Sequence, residues 1–237
     1  MRIMFIEPGD FPAEHLAEKE KYAKSFCAQN TTLLLSFAEV SLIPPSDFSM
    51  FSFYLPGVIK MVREAEKEGY DAVIIDCFTD AGLESCKITS NIPVLGPAET
   101  SLHLSCLLAD RFGVITPMDE GIPFHWRQAR NYGLSDRIAS IKALNMPLEE
   151  ISSRKEKAEE RLLLLSDDFL REGAQLILVG CMGIFPALGP GSAERLSKRL
   201  GAPFIDPLSA TLKTAEMLVN LNLHQSKIAF PNTAGLI

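Results

Sequence analysis

Two cysteines, Cys77 and Cys181, stand at the same place in two similar stretches of the chain, EGYDAVIIDCF at 68–78 and EGAQLILVGCM at 172–182. Each stretch runs from Glu-Gly through a few polar or small positions and an apolar segment to the thiol, and Gly69 to Cys77 and Gly173 to Cys181 are both eight positions. A short apolar run bounded by turn residues reads as a buried strand, so each thiol falls at a strand's carboxyl end. In parallel α/β sheets that edge is where ligands bind and where helix N-termini point their unpaired N–H groups. A helix N-terminus lowers a thiol pKa from about 8.5 toward neutrality, which makes the thiolate available as base or nucleophile. A pair of such thiols has an obvious use. One thiolate removes a proton from a carbon beside a carbonyl, the opposite thiol returns a proton to the other face, and the product is the mirror image. No Cys-His-Asn set is legible that would suggest a protease-like reaction. A lone strand-end cysteine is more often a small core residue; a repeated pair at matching positions argues for chemistry. Cys27 and Cys106, in the apolar helical segments SFCAQN and HLSCLLA, and Cys86, in the helix after Cys77, read as structural.

The elements that must hold these thiols repeat as well. RIMFIEP at 2–8 matches RFGVITP at 111–117, and IPVLGP at 92–97 answers APFIDP at 202–207. The chain therefore divides into related halves, expected as domains 1–98 and 99–207, with a C-terminal helix over 208–237 packing back on the first half. Apolar runs alternate with helical patterns expected around 13–28, 55–68 and 80–89, then near 122–132, 149–172 and 192–200. That alternation predicts an α/β fold, two small doubly wound parallel sheets related by a pseudo-twofold and closing on a cleft. Thr79 or Asp80 is expected to cap the helix after Cys77, and MGIF to open the one after Cys181. The charged face of KEKAEER at 155–161 reads as solvated.

Bulk properties narrow the partner. A net charge of −7 with no basic cluster argues against nucleic acid and anionic membranes, which leaves a small molecule. The apolar part of MRIMFIEPGD is too short for a signal peptide or a membrane span and reads as a first strand, so the cytoplasm is the expected compartment. Five cysteines without a Cys-x-x-Cys pair fit neither a disulfide framework nor a zinc site, and the four histidines lack ligand spacing, so no metal is expected. A homo-oligomer is compatible with all of this.

With these motifs in hand, the chain resembles the aspartate/glutamate racemase superfamily and, within it, the hydantoin racemase branch. DCFTDAGL at 76–83 is similar to the branch's Cys-Phe-x-Asp-Pro-Gly-Leu signature, and PVLGPAET at 93–100 to its Pro-Val-x-Gly-x-x-Glu. RFGVIT before Pro117, YGL at 132–134, LVGCMG at 178–183 and FIDPLSATLKTAE at 204–216 fall in register with it. The resemblance implies two α/β domains, no cofactor, and Cys77 and Cys181 as acid and base. The branch opens its first strand into Asn-Pro-Asn-Thr, whose side chains lie in the substrate cleft; here the residues are Glu7-Pro8-Gly9-Asp10. An acidic Glu7 there would repel a substrate carboxylate and favour a neutral or cationic group. Asp80-Ala81 in place of Asp-Pro relaxes the turn after the cysteine. Thr116 ends the strand equivalent to that of Glu7 and is expected to donate a hydrogen bond into the same cleft. Phe78 and Thr79 beside one thiol, and Met182 and Gly183 beside the other, are expected to bind substrate, with backbone N–H groups stabilising a developing enolate. The expected activity is cofactor-independent racemisation or epimerisation of a hydantoin or ureide-like compound. The alternatives are a single-cysteine isomerase or decarboxylase of the maleate isomerase or arylmalonate decarboxylase type, or a non-catalytic two-domain binding protein.

Overall fold

A computed structural model of the protein describes residues 1–9, 13–40 and 50–232. It divides into two compact units, Met1–Pro97 with Thr211–Ile237, and Ala98–Ala210.

The first unit carries β1 (Arg2–Glu7), α1 (Ala13–Lys24), β2 (Thr32–Phe37), α2 (Met50–Lys67), β3 (Ala72–Ile75), α3 (Leu83–Thr89) and β4 (Val94–Leu95). In the second lie most of α4 (Pro97–Leu108), then β5 (Phe112–Thr116), α5 (Gly121–Asn131), β6 (Ile138–Ala143), α6 (Leu148–Ser153), α7 (Lys155–Arg171), β7 (Ile177–Val179), α8 (Ile184–Leu188), α9 (Ser192–Leu200) and β8 (Phe204–Ile205). The last helix, α10 (Pro207–Asn220), passes from the second unit into the first. There the Glu216 carboxylate accepts hydrogen bonds from the Ala28 N–H at 2.8 Å and the Thr31 hydroxyl at 2.7 Å. Among the described residues no helix is long and apolar enough to cross a membrane.

Each unit holds a four-stranded parallel sheet, ordered β2-β1-β3-β4 in one and β6-β5-β7-β8 in the other. The two orders are the same order. Central strands covered by helices on both faces must be apolar along their whole length, which is why AVII of β3 and ILV of β7 are buried at every position. Edge strand β2 leaves Leu34 and Phe37 exposed.

The sequence repeat has a hydrogen-bond counterpart. Asp71 N–H donates to Arg2 O at 2.8 Å, and Gln175 N–H to Arg111 O at 2.9 Å. Val73 N–H donates to Pro93 O and Ile177 N–H to Pro203 O, both at 2.9 Å. The repeated Glu-Gly closes α2 and α7: Gly69 and Gly173 take φ of 76° and 90°, a left-handed conformation that glycine adopts without strain. The repeated arginine reaches the same turn, Arg2 donating to Glu68 O and Arg111 to Glu172 O. The arginine and glycine of each half thus mark one joint between a strand start and a helix end.

Four expectations need correction, the first being the C-terminal helix over 208–237: α10 ends at Asn220, and Asn222 just beyond it takes a left-handed φ of 53°. The helix expected over 149–172 is two helices, α6 and α7, broken at Arg154, whose φ of −135° and ψ of 55° are not helical. Cys27 lies beyond α1, which ends at Lys24, in a run of turns. Neither Thr79 nor Asp80 caps the helix after Cys77: α3 starts at Leu83 behind Gly82. Asp10, the last residue of the Glu-Pro-Gly-Asp segment, lies outside the described residues, as do residues 233–237 of the expected C-terminal packing segment.

Two packing features bear on the site. In α2, Gly57 lies so close to the end of β2 that a Cβ there would stand 2.2 Å from the Glu39 carbonyl oxygen. Gly57→Ala should therefore destabilise the protein by about 1–3 kcal/mol, read as a lower midpoint in urea with unchanged slope. Beyond α10, the chain returns to the end of α3. Gln225 Nε2 donates to Ser90 O and Ile92 O, both at 2.8 Å, and Lys227 Nζ to Lys87 O at 3.0 Å, to Ile88 O at 3.4 Å and to Ser90 O.

Candidate active site

At the carboxyl end of the first sheet, the Asp76 N–H still bonds to Ile6 O at 2.8 Å, extending the β1–β3 ladder by one residue. The next residue leaves it. Cys77 N–H turns back on Ile75 O at 2.8 Å, and Asp80 N–H closes onto Cys77 O at 3.0 Å. Asp80 has φ of 52°, in a region that aspartate tolerates better than most residues, and Gly96 makes room for its carboxyl group, which a Cβ at 96 would meet at 2.5 Å. This tight turn presents Cys77 half-buried, with its sulfur 3.1 Å from the Thr79 hydroxyl. When that hydroxyl donates, it favours the thiolate. Phe78, between them, is buried.

The second sheet ends in the same way. Gly180 N–H bonds to Ile115 O at 2.7 Å, the counterpart of Asp76 on Ile6, and Cys181 follows, also half-buried. Here the donor to sulfur is backbone: Gly183 N–H points at Cys181 Sγ at 3.4 Å. Gly183 is the N-cap of α8, so this N–H belongs to the first turn, where helices leave donors unpaired. Glycine leaves room there for Leu148 of α6, whose terminal methyl a Cβ would meet at 2.8 Å. Met182 is buried. The Thr116 hydroxyl, buried at the end of β5, lies over the start of α5, where a side chain at Gly121 would overlap it.

Glu7 ends β1 with its side chain committed to an ion pair. Lys19 Nζ lies 2.5 Å from Glu7 Oε2 and 2.9 Å from Asp76 Oδ2, and Glu7, Lys19 and Asp76 are 5%, 3% and 1% exposed. Burial raises the Glu7 pKa from 4.5 to about 8, with the neighbouring Asp76 charge adding to it and Lys19 opposing it. Lys19 is held protonated by both carboxylates against the cost of its burial. Lysine at this position was not legible as a site residue, because AEHLAEKEKYAK reads as a solvated charged helix. The available signal was position: Lys19 shares the inward face of α1 with Tyr22 and Ala23.

The remaining cysteines differ in environment. Cys86 is fully buried and its thiol is pushed up to about 12 by burial alone; burial, then the Glu216 carboxylate, raises Cys27. His125 is buried on α5 with Nδ1 3.0 Å from Gln128 Oε1, and burial lowers its pKa. Among the described residues no group of three or more His, Cys, Asp or Glu side chains is placed to hold a metal.

Comparison with known proteins agrees with this architecture. Residues 52–215 match the Asp/Glu/hydantoin racemase family. The chain is 32% identical over 239 residues to hydantoin racemase of Paenarthrobacter aurescens, covering 96% of this chain and 94% of that one. To hydantoin racemase of Pseudomonas sp. strain NS671 it is 31% identical over 231 residues, covering 96% and 90%. Allantoin racemase from Klebsiella pneumoniae superposes with a TM-score of 0.82 at 26% identity, over 97% of this chain and 93% of that one. A family match over most of the chain, and relatives above 30% identity along nearly its whole length, lead to one conclusion: the protein belongs to the Asp/Glu/hydantoin racemase family and is an isomerase.

Proposed function

We propose that this protein is a cofactor-independent racemase that inverts a carbon beside a carbonyl in a hydantoin or ureide-like ring, with Cys77 and Cys181 as its base and acid. One observation carries the reading. Each thiol follows the equivalent strand of two sheets with the same order, and each stands one residue beyond the same ladder hydrogen bond. Two thiols placed alike on two related halves suit a reaction that must treat two faces of one carbon alike.

The ring substrate follows from chemistry and from the relatives' names. In a five-membered ureide no carboxylate sits beside the carbon to oppose a second negative charge, so modestly activated thiols suffice. The Thr79 hydroxyl, when it donates, and the Gly183 N–H each favour the neighbouring thiolate, while N–H groups beside Phe78 and Met182 and the Thr116 hydroxyl serve the enolate oxygen. Glu7 bears on substrate choice through the cluster it forms with Lys19 and Asp76, whose net charge at the strand end turns negative only when Glu7 ionises.

The test is a panel of enantiopure 5-substituted hydantoins, allantoin, free amino acids and dicarboxylates followed by circular dichroism. Ellipticity should decay to zero with the ring ureides and persist with the free amino acids. Loss of carbon dioxide, or conversion of a dicarboxylate, without decay of a ureide signal would move the single-cysteine alternatives ahead. Iodoacetamide should also inactivate the enzyme at Cys77 or Cys181 faster than at Cys27, Cys86 or Cys106, with substrate protecting. Equal labelling of all five cysteines would undo the assignment.

A further inference from the structure

The two strand ends share a backbone frame and differ in charge. Thr116 stands where Glu7 does, each the last residue of the strand at the same place in its sheet. Gly180 stands where Asp76 does, by the matching bonds to Ile115 and Ile6. The first unit therefore buries two carboxyl groups, one of them on the residue next to Cys77, and the second unit has neither at the equivalent positions.

Such burial is costly. Each ion loses most of its hydration, and apolar residues of the same volume would generally hold a strand end at least as well. A stability role alone accounts poorly for the cluster, whereas its place beside a thiol accounts for it. We propose that Lys19 is a positioning residue for Cys77: it holds the Glu7 and Asp76 side chains together at the ends of β1 and β3, so that their negative charge is withheld from the thiol one residue on. This rests on the reading of Cys77 as an acid-base residue.

The geometry also says how one ammonium serves two carboxyls. Lys19 donates to Glu7 and stands 2.9 Å from Asp76 Oδ2, while Asp76 Oδ1 is buried without a hydrogen-bond partner. A proton on Glu7 supplies the missing donor, and a Glu7–Asp76 hydrogen bond is among the influences on Glu7. The upward pull on the Glu7 pKa is in the same sense. With that proton in place the cluster is neutral: lysine positive, Asp76 negative, Glu7 uncharged. Above the Glu7 pKa it becomes negative. Among the described residues of unit 1, the charged groups of this strand end are Glu7 on β1 and Lys19 on α1, with Asp76 preceding Cys77 and Asp80 following it in the turn. Asp80, packed against Gly96, is common to every variant below.

The experiment is alkylation of the full chain by iodoacetamide between about pH 6 and about pH 10, with the rate at Cys77 and Cys181 read separately by peptide mass spectrometry. Cys181 is the internal control. Lys19→Met leaves two carboxyl groups without a counter-charge and should move the Cys77 midpoint up by about one pH unit, with Cys181 unmoved. Glu7→Gln keeps the shape and the lysine but cannot become negative, and should lower the Cys77 midpoint by about half a unit. Lys19→Arg should stay near wild type. Glu7→Gln decides the matter alone if Lys19→Met does not fold. A Cys77 midpoint unchanged in Glu7→Gln, or one that moves together with that of Cys181, overturns the proposal. Alkylation needs no turnover, so a racemase assay that fails while the Cys77 midpoint still moves counts against the proposed reaction and leaves the role of Lys19 standing.

Discussion

Cys77→Ser and Cys181→Ser should each lower the rate of net racemisation by a factor of about 10²–10⁴, and yet each should keep half of the chemistry. If each thiol addresses one face of the carbon, each enantiomer presents its proton to only one of them. A serine hydroxyl is a far weaker acid and base than a thiol, so the substituted face falls silent. The surviving thiolate can still take the proton from the enantiomer it faces and return one after exchange with solvent. In D2O one mutant should wash deuterium into one enantiomer and the other mutant into its mirror image, both without inversion, as read by proton NMR and circular dichroism on the same samples. Exchange of the same enantiomer by both mutants, or near wild-type racemisation by either, would end the two-base mechanism.

Much of this architecture was legible in the sequence because parallel α/β sheets write themselves as continuous apolar runs. AVII and ILV could hardly be anything but central strands, and the repeated Glu-Gly and arginine were the visible ends of a joint whose hydrogen bonds recur in both halves. Local turns were less legible. Thr79 and Asp80 have the right chemistry to cap a helix, but the Cys77 turn uses the threonine hydroxyl for sulfur and puts the aspartate in a left-handed conformation, which delays α3 to Leu83. The break at Arg154 is marked only by Ser152-Ser153 and the Ser-x-x-Glu spacing to Glu156, easily passed over between two helix-favouring runs. Lys19 was hidden for a different reason. Its meaning depends on Glu7 and Asp76, which only the ordering of β1 beside β3 brings within reach of one ammonium.

The same cluster should dominate the pH dependence of stability. The Glu7 pKa is raised in the folded state from 4.5 to about 8, so the folded protein binds that proton more tightly than the unfolded chain does. The resulting contribution is complete below about pH 4.5, declines as pH rises, and is lost once pH passes about 8. Glu7→Gln removes this dependence, and its melting temperature should fall less than that of wild type between those limits. Lys19→Met should have the opposite and larger effect. Stranding a buried carboxylate costs about 3–5 kcal/mol, and the penalty should grow with pH as the two acids are forced to ionise without a cation. Thermal melts of wild type and both variants across the range check the order: Glu7→Gln flattest, Lys19→Met steepest. Parallel curves for all three would mean that the proton on Glu7 contributes nothing to folding.

The contacts of Gln225 and Lys227 with the end of α3 reach further than their distance along the chain suggests. α3 is only seven residues long, too short to persist without outside support, and it follows directly on the turn that carries Cys77. Carbonyls of its last turn and of the residues just beyond it are held by two side chains more than a hundred and thirty residues away. Amide hydrogen exchange in α3 should therefore follow the 223–230 segment, the two opening as a unit. A protease that trims the chain ahead of Gln225 would release those carbonyls at once and speed exchange through α3 and into the Cys77 turn, leaving the strands beneath protected. Affinity tags, linkers or fusion partners are accordingly best kept clear of Gln225 and Lys227, since anything that draws this segment off the surface also slackens the turn that aims the thiol.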